Sequence, residues 1–574
     1  AAAVNGGAAA PVAEGRTAIL SHPLCREHFT CAPLHHGSAD PPPENVNRLK
    51  VLLDYPNGVL RAGEFAECEF SDDAQRASLG DVVRVHDWAY VRNLQTKCAV
   101  LHDFCADGST PEMGVPVGAQ MPFAHLDGDT VISARTYEAA LRAAGSVIEG
   151  VDRVMSGRNR NVFCAVRPPG HHAGMRGVVT NDNDDSGSHG FCLLNNVGIA
   201  AAYARHVYRG RVDKVAIVDF DVHHGNGTEE VVRNLVPTHE EYEMKTPMAS
   251  VSMRTEKWKP WLNEEDPDKV LFVSSHGYGK KSEELEHVPG HWFYPGSGST
   301  CVPPGGSDPS TTPEDVRAAE SDYLGGYESE TRADKHRILD LGLGLATREV
   351  SGTARNRFRD GYRKVILPRI MAFNPDLILI SAGFDGHKKD DINFGYLSLV
   401  EEDFEWVTDE LIKVANSCCE GRVVSVLEGG YAIKGAHVSA FARSAQAHVR
   451  ALLNGSRFAR PYDQRYCEWE SKLERDFLEK AKERQERKNK ETLMQLYHGG
   501  GIDTGGAAND VPLPLASPSS IDVATAPMLG TPQLPVGTIA PDSAAPAAET
   551  PATGGGAVPA SAASAVSAAS AASA

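Results

Sequence analysis

Lys214–Gly227 reads KVAIVDFDVHHGNG, an apolar run that breaks abruptly into carboxylates and imidazoles. Val215–Val218 has the look of a buried parallel strand. Residues two apart on an extended chain share a face, so Asp219, Asp221 and His223 project together where the strand leaves its sheet. Ionisable groups at the end of a buried strand need compensation. A divalent metal supplies it most simply, since carboxylate oxygen and imidazole nitrogen are ordinary zinc ligands. A polar strand end turned to solvent is the plainer alternative.

Working outward, four more strands end in reactive chemistry. Asn161–Val166 runs into His171 and His172, and Val270–Ser275 ends at Ser274, Ser275 and His276. Leu377–Ser381 leads to Asp385, and Arg422–Leu427 to Glu428 and Tyr431. Helical spacing covers Asn47–Asp54, Ser133–Ser156, about Asn196–Tyr208, Phe358–Phe373, Glu402–Ala415 and Ala440–Leu453. Thr17–Leu20 reads as a first strand and Val82–Val85, with His86, as a strand edge. Strands alternating with helices predict an α/β fold with a parallel sheet. Ligands of such sheets bind at the carboxyl ends of the strands, where all five clusters fall.

Each group suggests a role. Asp221, His223 and Asp385 supply three metal ligands and leave a coordination position open, as a catalytic zinc requires. Such a metal lowers the pKa of water and polarises a carbonyl. His171 and His172, on a loop stiffened by Pro and Gly, suit general base and acid work, with Asp219 orienting one ring and Asn226 the other. Tyr431, after two glycines, can donate to a developing oxyanion. Together these parts describe metal-assisted amide hydrolysis. Taken singly they are weak: a His pair is commonly structural, Asp385 could cap a helix, and Tyr431 could be a half-buried aromatic. Co-location carries the reading. His276 is left a structural role.

Composition bounds the rest. The 574 residues carry a net charge of −19, which disfavours direct nucleic-acid binding and favours cationic substrates. Eleven cysteines without Cys-x-x-Cys spacing suit reduced, buried thiols. No run is long enough to span a membrane, and no secretory pattern opens the chain. His22, Cys25, His28, His35 and His36 match no zinc spacing and read as surface or loop residues. The expected organisation is a disordered stretch over 1–15, a catalytic domain over 16–455, a charged helical segment over 456–498 and a disordered Ala/Pro/Gly/Ser tail over 499–574. Within the domain, 180–188 reads as an acidic loop, and 228–270 and 277–337 as polar excursions.

RPPGHHAG (Arg167–Gly174), GFCLLNN (Gly190–Asn196), DFDVHHGNG (Asp219–Gly227), FYPGSG (Phe293–Gly298), SAGFD (Ser381–Asp385) and LEGGY (Leu427–Tyr431) resemble, in order, the signature set of the zinc-dependent histone deacetylases. The HHGNG and LEGGY forms are closer to class II than class I. The likeness runs from about Thr17 to Leu453. It implies an arginase-like three-layer α/β fold and removal of acetyl groups from lysine side chains. It carries over Asp221, His223 and Asp385 as zinc ligands, His171 and His172 as the proton-transfer pair, and Tyr431 as the carbonyl-polarising hydroxyl. Gly190, Phe191 and Tyr294 match the walls of the acetyl-lysine tunnel, and Asp129 the rim position that holds substrate backbone. Asp219, Asp221, His223 and Ser274 match a structural potassium site, and Arg48 an arginine near the acetate exit.

Acetylated proteins, histone tails among them, are the implied partners, with corepressor complexes, and nucleus or cytoplasm the implied compartment. Iron(II) is an alternative to zinc. The sequence departs from the pattern at PPENVNRL (Pro42–Leu49) and in its longer loop before Gly190. Asp390-Asp391 replaces the usual Asp-Pro and puts Ile392 at a gatekeeper position. Relatives acting on acetylpolyamines place an acidic residue there, so Ile392 favours a protein substrate. A non-catalytic acetyl-lysine reader is the remaining alternative, and Tyr431 argues against it.

Overall fold

The computed structural model describes residues 16–31, 41–54, 56–107, 123–181, 183–279, 292–299, 338–345 and 353–499. The expected stretches at 1–15 and 500–574, His35, His36 and most of 277–337 lie outside these residues.

Among the described residues, fourteen strands are numbered in chain order. β1 (Arg16–Leu20), β2 (Glu69–Ser71), β5 (Asn159–Cys164), β8 (Val215–Asp219), β11 (Val270–Gly277), β12 (Ile338–Leu343), β13 (Leu377–Ala382) and β14 (Val423–Leu427) form one sheet in the order β12-β11-β8-β13-β14-β5-β1-β2. Every pairing in it is parallel. Three hairpins complete the set: β3 (Phe123–His125) with β4 (Val131–Ser133), β6 (Val179–Asn181) with β7 (Asp184–Ser188), and β9 (Thr238–Lys245) with β10 (Ser250–Lys257).

The central strands are buried along their whole length, because helices cover both faces. Alternation on β5 separates the two layers. Val162 and Cys164 point at Gly150 of the Thr136–Ser156 helix, where a β-carbon would crowd Val424. Asn161 turns the other way and donates to the Leu452 carbonyl, 2.9 Å away, and Phe163 meets His448 edge-on. Both of those belong to the Ala440–Arg457 helix, which lies against Glu401–Cys418. Helices on either side of one parallel sheet are the three layers the sequence predicts.

Several local expectations need correction. Val82–Val85 is no strand: Leu79–Val82 is a short helix, because the Ser78 hydroxyl accepts the Asp81 N–H and caps it. Residues 180–188 are not a loop but the β6–β7 hairpin. The polar stretch 228–270 holds the Asn226–Arg233 helix, the β9–β10 ribbon and the Asp266–Lys269 turn. The 358–373 helix is interrupted by a π-helical segment, Tyr362–Ile366, whose Tyr362 hydroxyl lies 2.9 Å from Ser275 Oγ. His28 is not a surface histidine; it is buried between Thr136 and Glu44. Among the described residues the cysteines are free thiols, and no helix is long and apolar enough to cross a membrane.

Candidate active site

Where β8 ends, the chain is bent out of the sheet by its own carboxylates. Asp219 Oδ1 accepts the Asp221 N–H at 3.0 Å, and Asp221 Oδ1 accepts the His223 N–H at 2.9 Å. The neighbouring strand β13 delivers Asp385, whose Oδ1 accepts the Val222 N–H at 3.0 Å. The next, β14, delivers Gly429, whose N–H donates to Asp221 Oδ2 at 2.8 Å. Asp221, His223 and Asp385 thereby converge, with one donor atom of each within 4.8 Å of the others, all buried. His223 Nδ1 lies 3.1 Å from Asp221 Oδ1 and 3.2 Å from Asp385 Oδ2.

This trio fits a divalent ion. Asp385 Oδ2 is buried and makes no aligned hydrogen bond. Gly429 and Gly383 line the cradle, where any β-carbon would collide with the Asp221 and Asp385 carboxylates. Burial opposes charge on His223, yet Asp221 and Asp385 push its pKa up to about 9. Buried carboxylates this close want a cation, and His223 Nδ1 sits where a proton or a metal would serve.

The His pair stands beside the trio, its ring centroids 3.9 Å apart. His171 Nδ1 is 3.0 Å from Asp219 Oδ2, and His172 Nδ1 is 2.8 Å from the Asn226 amide oxygen. Their environments drive them in opposite directions. Burial lowers both, but Asp219 and Asp221 overcome it at His171 and raise the pKa to about 10. At His172 the cationic His171 and His223 add to burial and hold it far below the ordinary value. Opposite shifts of this kind suit one ring to give a proton and the other to take one. Glu428 aligns their loop, its Oε2 accepting the N–H of Gly170 at 2.7 Å and of His171 at 3.2 Å.

Tyr431 closes the opposite side. Its N–H donates to Asp390 Oδ2 at 2.6 Å, the Ala432 N–H at 2.9 Å, and the Ile392 N–H reaches Asp390 Oδ1 at 3.4 Å. One carboxylate thus ties the Ile392 turn to the tyrosine loop. Arg48 lies under the Tyr431 ring at 4.8 Å and donates to the carbonyls of Gly430 and Glu428. Phe191, held at φ 68° after Gly190, meets the Tyr431 ring at 5.7 Å. Tyr294 meets His172 at 5.1 Å, and a β-carbon on Gly190 would crowd both. Asp129 is exposed and joined to Phe191 through Thr130, whose hydroxyl donates to Asp129 Oδ1 and accepts the Phe191 N–H, each at 2.9 Å.

The arrangement gathers every residue the sequence pointed to at one end of the sheet. A family model for the histone deacetylase domain matches residues 42–452. The chain belongs to that family. Type-2 histone deacetylase 2 of Dictyostelium discoideum is 31% identical over 447 residues, 76% of this chain and 21% of the relative. Histone deacetylase 4 of Caenorhabditis elegans is 27% identical, covering 72% of this chain and 36% of the relative. This chain therefore spans about a fifth to a third of the length of these curated relatives. A probable deacetylase of Archaeoglobus fulgidus is 26% identical over 70% of this chain and 80% of its own length. The HDA15 HD domain crystal structure shares the fold with a TM-score of 0.51 at 23% identity, covering 77% of this chain and 89% of that one.

Four further side chains hold this deacetylase-family site in place. Phe293 stacks on His223 at 5.2 Å and on Tyr396 at 4.2 Å. Glu428 and Asp390 position the loops of His171 and Tyr431 through backbone bonds. Asp127 accepts both the N–H and the ring of His189, fixing the turn before Gly190. The sequence marks Glu428 as a strand-end group and Phe293 as part of FYPGSG, though not their contacts; the contacts of Asp390 and Asp127 carry no local signal.

Proposed function

We propose that this chain hydrolyses the acetamide of N6-acetyl-lysine in histones or other proteins, with Asp221, His223 and Asp385 holding a catalytic zinc. The reading rests above all on one observation: two oppositely tuned histidines, each fixed by its own partner, stand beside a buried trio suited to a metal. The zinc, when bound, lowers the pKa of water and polarises the substrate carbonyl. His172 is neutral with its proton on Nδ1, directed at the Asn226 amide oxygen, so Nε2 is bare and can take a proton from the attacking water. His171, protonated and paired with Asp219, supplies positive charge and a proton for the departing amine. The Tyr431 hydroxyl donates to the developing oxyanion, and burial, which raises its pKa far above the ordinary value, keeps that proton on the oxygen. Gly190, Phe191 and Tyr294 hold the lysine methylenes, Asp129 the substrate backbone and Ile392 the rim. A structural potassium beside Asp219, Asp221, His223 and Ser274, and action in nucleus or cytoplasm on acetylated partners, belong to the same reading.

The test is a kinetic comparison of an acetyl-lysine peptide with N8-acetylspermidine on zinc-loaded protein, with Tyr431→Phe as control. Peptide turnover that the control abolishes supports the proposal. Preference for the polyamine overturns the substrate class and leaves the chemistry, whereas no turnover of either leaves a reader of acetyl-lysine.

A further inference from the structure

His224 follows the metal-site residue His223 and enters a second buried cluster that the reaction does not use. Its Nε2 lies 2.7 Å from Glu229 Oε2 and 3.3 Å from Asp340 Oδ1. The His224 side chain is 1% exposed and that of Asp340 5%. Although both oxygens are close to Nε2 and all three atoms are buried, none makes an aligned hydrogen bond. Their other polar atoms are already held. Ser297 Oγ fixes His224 Nδ1 at 2.8 Å, and Arg233 pairs with Glu229 Oε1 from the surface side, leaving Oε2 turned inward. His276 completes the group, its ring centroid 4.5 Å from that of His224. One donor atom from each of His224, His276 and Asp340 lies within 4.8 Å of the others. His276 Nδ1 is 2.8 Å from Ser274 Oγ and Nε2 2.7 Å from the Gly298 carbonyl, so it serves better as a flanking ring than as a primary ligand.

We propose that His224 Nε2, Glu229 Oε2 and Asp340 Oδ1 form a second divalent-metal site of zinc type, separate from the Asp221–His223–Asp385 trio. One imidazole nitrogen and two carboxylate oxygens form an ordinary zinc donor set. A proton on His224 can bridge to one carboxylate at a time, whereas a single ion satisfies all three atoms together. The Ser297 contact fixes the ring and leaves Nε2 to the ion, the usual arrangement around a metal-binding histidine. The ligands come from the loop after β8, the first turn of the Asn226–Arg233 helix and the edge strand β12. A metal there would pin that edge to the HHGNG loop, a structural role that does not depend on the deacetylase reading.

The experiment counts zinc in the full chain after equilibration with Zn²⁺ and dialysis. The parent should hold about two ions per chain, and Asp340→Asn and Asp385→Ala should each lose one, a different one. Zn²⁺ added to the metal-stripped Asp385→Ala protein should still raise its melting temperature, and this rise should vanish when Asp340→Asn is added. An Asp340→Asn protein with the parent's zinc content, or no thermal response in Asp385→Ala, overturns the proposal. Should Asp340→Asn fail to fold, Glu229→Gln, nearer the surface, is measured in the same way and must lose the same ion. Absence of deacetylase turnover with the second ion retained would count against the proposed activity alone.

Discussion

At the scale of single residues, the site is a set of groups whose neighbours decide their protonation. Tyr431→Phe removes a hydroxyl and no ligand, so turnover should fall at least about a hundredfold with zinc content unchanged. Elemental analysis beside the kinetics checks both halves. Asp385→Ala should do the reverse, releasing the catalytic metal. His223 adds a pH dependence. Its pKa is raised to about 9, so below that pH a proton competes with the metal for the ring. Affinity at the catalytic trio should therefore weaken as pH falls, by about tenfold per unit. Competition with a chelator between pH 6 and 9 measures it, in Asp340→Asn protein so that one site is followed; a flat profile would contradict the assignment of His223. The metal trio, the His pair and Tyr431 were legible in sequence because each stands at the end of an apolar run. The loop-holding roles of Glu428 and Asp390 were not, because they act on backbone N–H groups up to 258 residues distant, a relation no local pattern carries.

Among the elements, the C-terminal helix Gln464–Gly499 is fastened to the domain by a ladder of arginines. Arg359 reaches Asp403 and Glu474, and Arg363 reaches Glu470 and Glu474, with both guanidinium groups over the Trp406 ring. Arg363 is 1% exposed, so Arg363→Ala removes packing and leaves two acids partly buried without their cation. It should lower stability by about 2–4 kcal/mol, read in a denaturant melt, with Arg363→Lys recovering only part because a single ammonium cannot span both carboxylates. A melt within error of the parent would show that the helix is not held this way. The helix itself was evident from its charge pattern, and its docking was not. β12 escaped notice for another reason: Ile338–Leu343 carries a buried acid and a glycine, which interrupt the apolar run that marked its neighbours. The β6–β7 hairpin was hidden by its Asn/Asp composition, poor in strand-forming residues.

On the scale of the whole molecule, acid should loosen the layers from within. His448 is fully buried between the Glu401–Cys418 helix and β14, its nitrogens 2.7 Å from Thr408 Oγ1 and 2.8 Å from Ser425 Oγ. Burial lowers its pKa to about 3. Above about pH 6.5 neither the folded nor the unfolded chain protonates it, and its contribution is constant. Between about 6.5 and 3 the unfolded chain binds a proton that the folded chain refuses, so stability falls as pH drops, by up to about 1.4 kcal/mol per unit. His448→Gln should flatten the melting temperature between pH 6.5 and 5; an unchanged slope would place the acid sensitivity elsewhere. A shared carboxyl edge was legible because five strands end in reactive groups, and those five are neighbours, β11, β8, β13, β14 and β5; their order in the sheet was not, because it depends on long-range pairing. One feature of that sheet reaches further. β8 and β13 pair with Asp219 opposite Ser381, so the backbone ladder itself sets the spacing between the Asp221 and Asp385 carboxylates that follow. Geometry held by main-chain pairing is indifferent to drift in the surrounding hairpins. The β9–β10 ribbon can thus exchange its side chains without moving the backbone that carries Asp221 and Asp385.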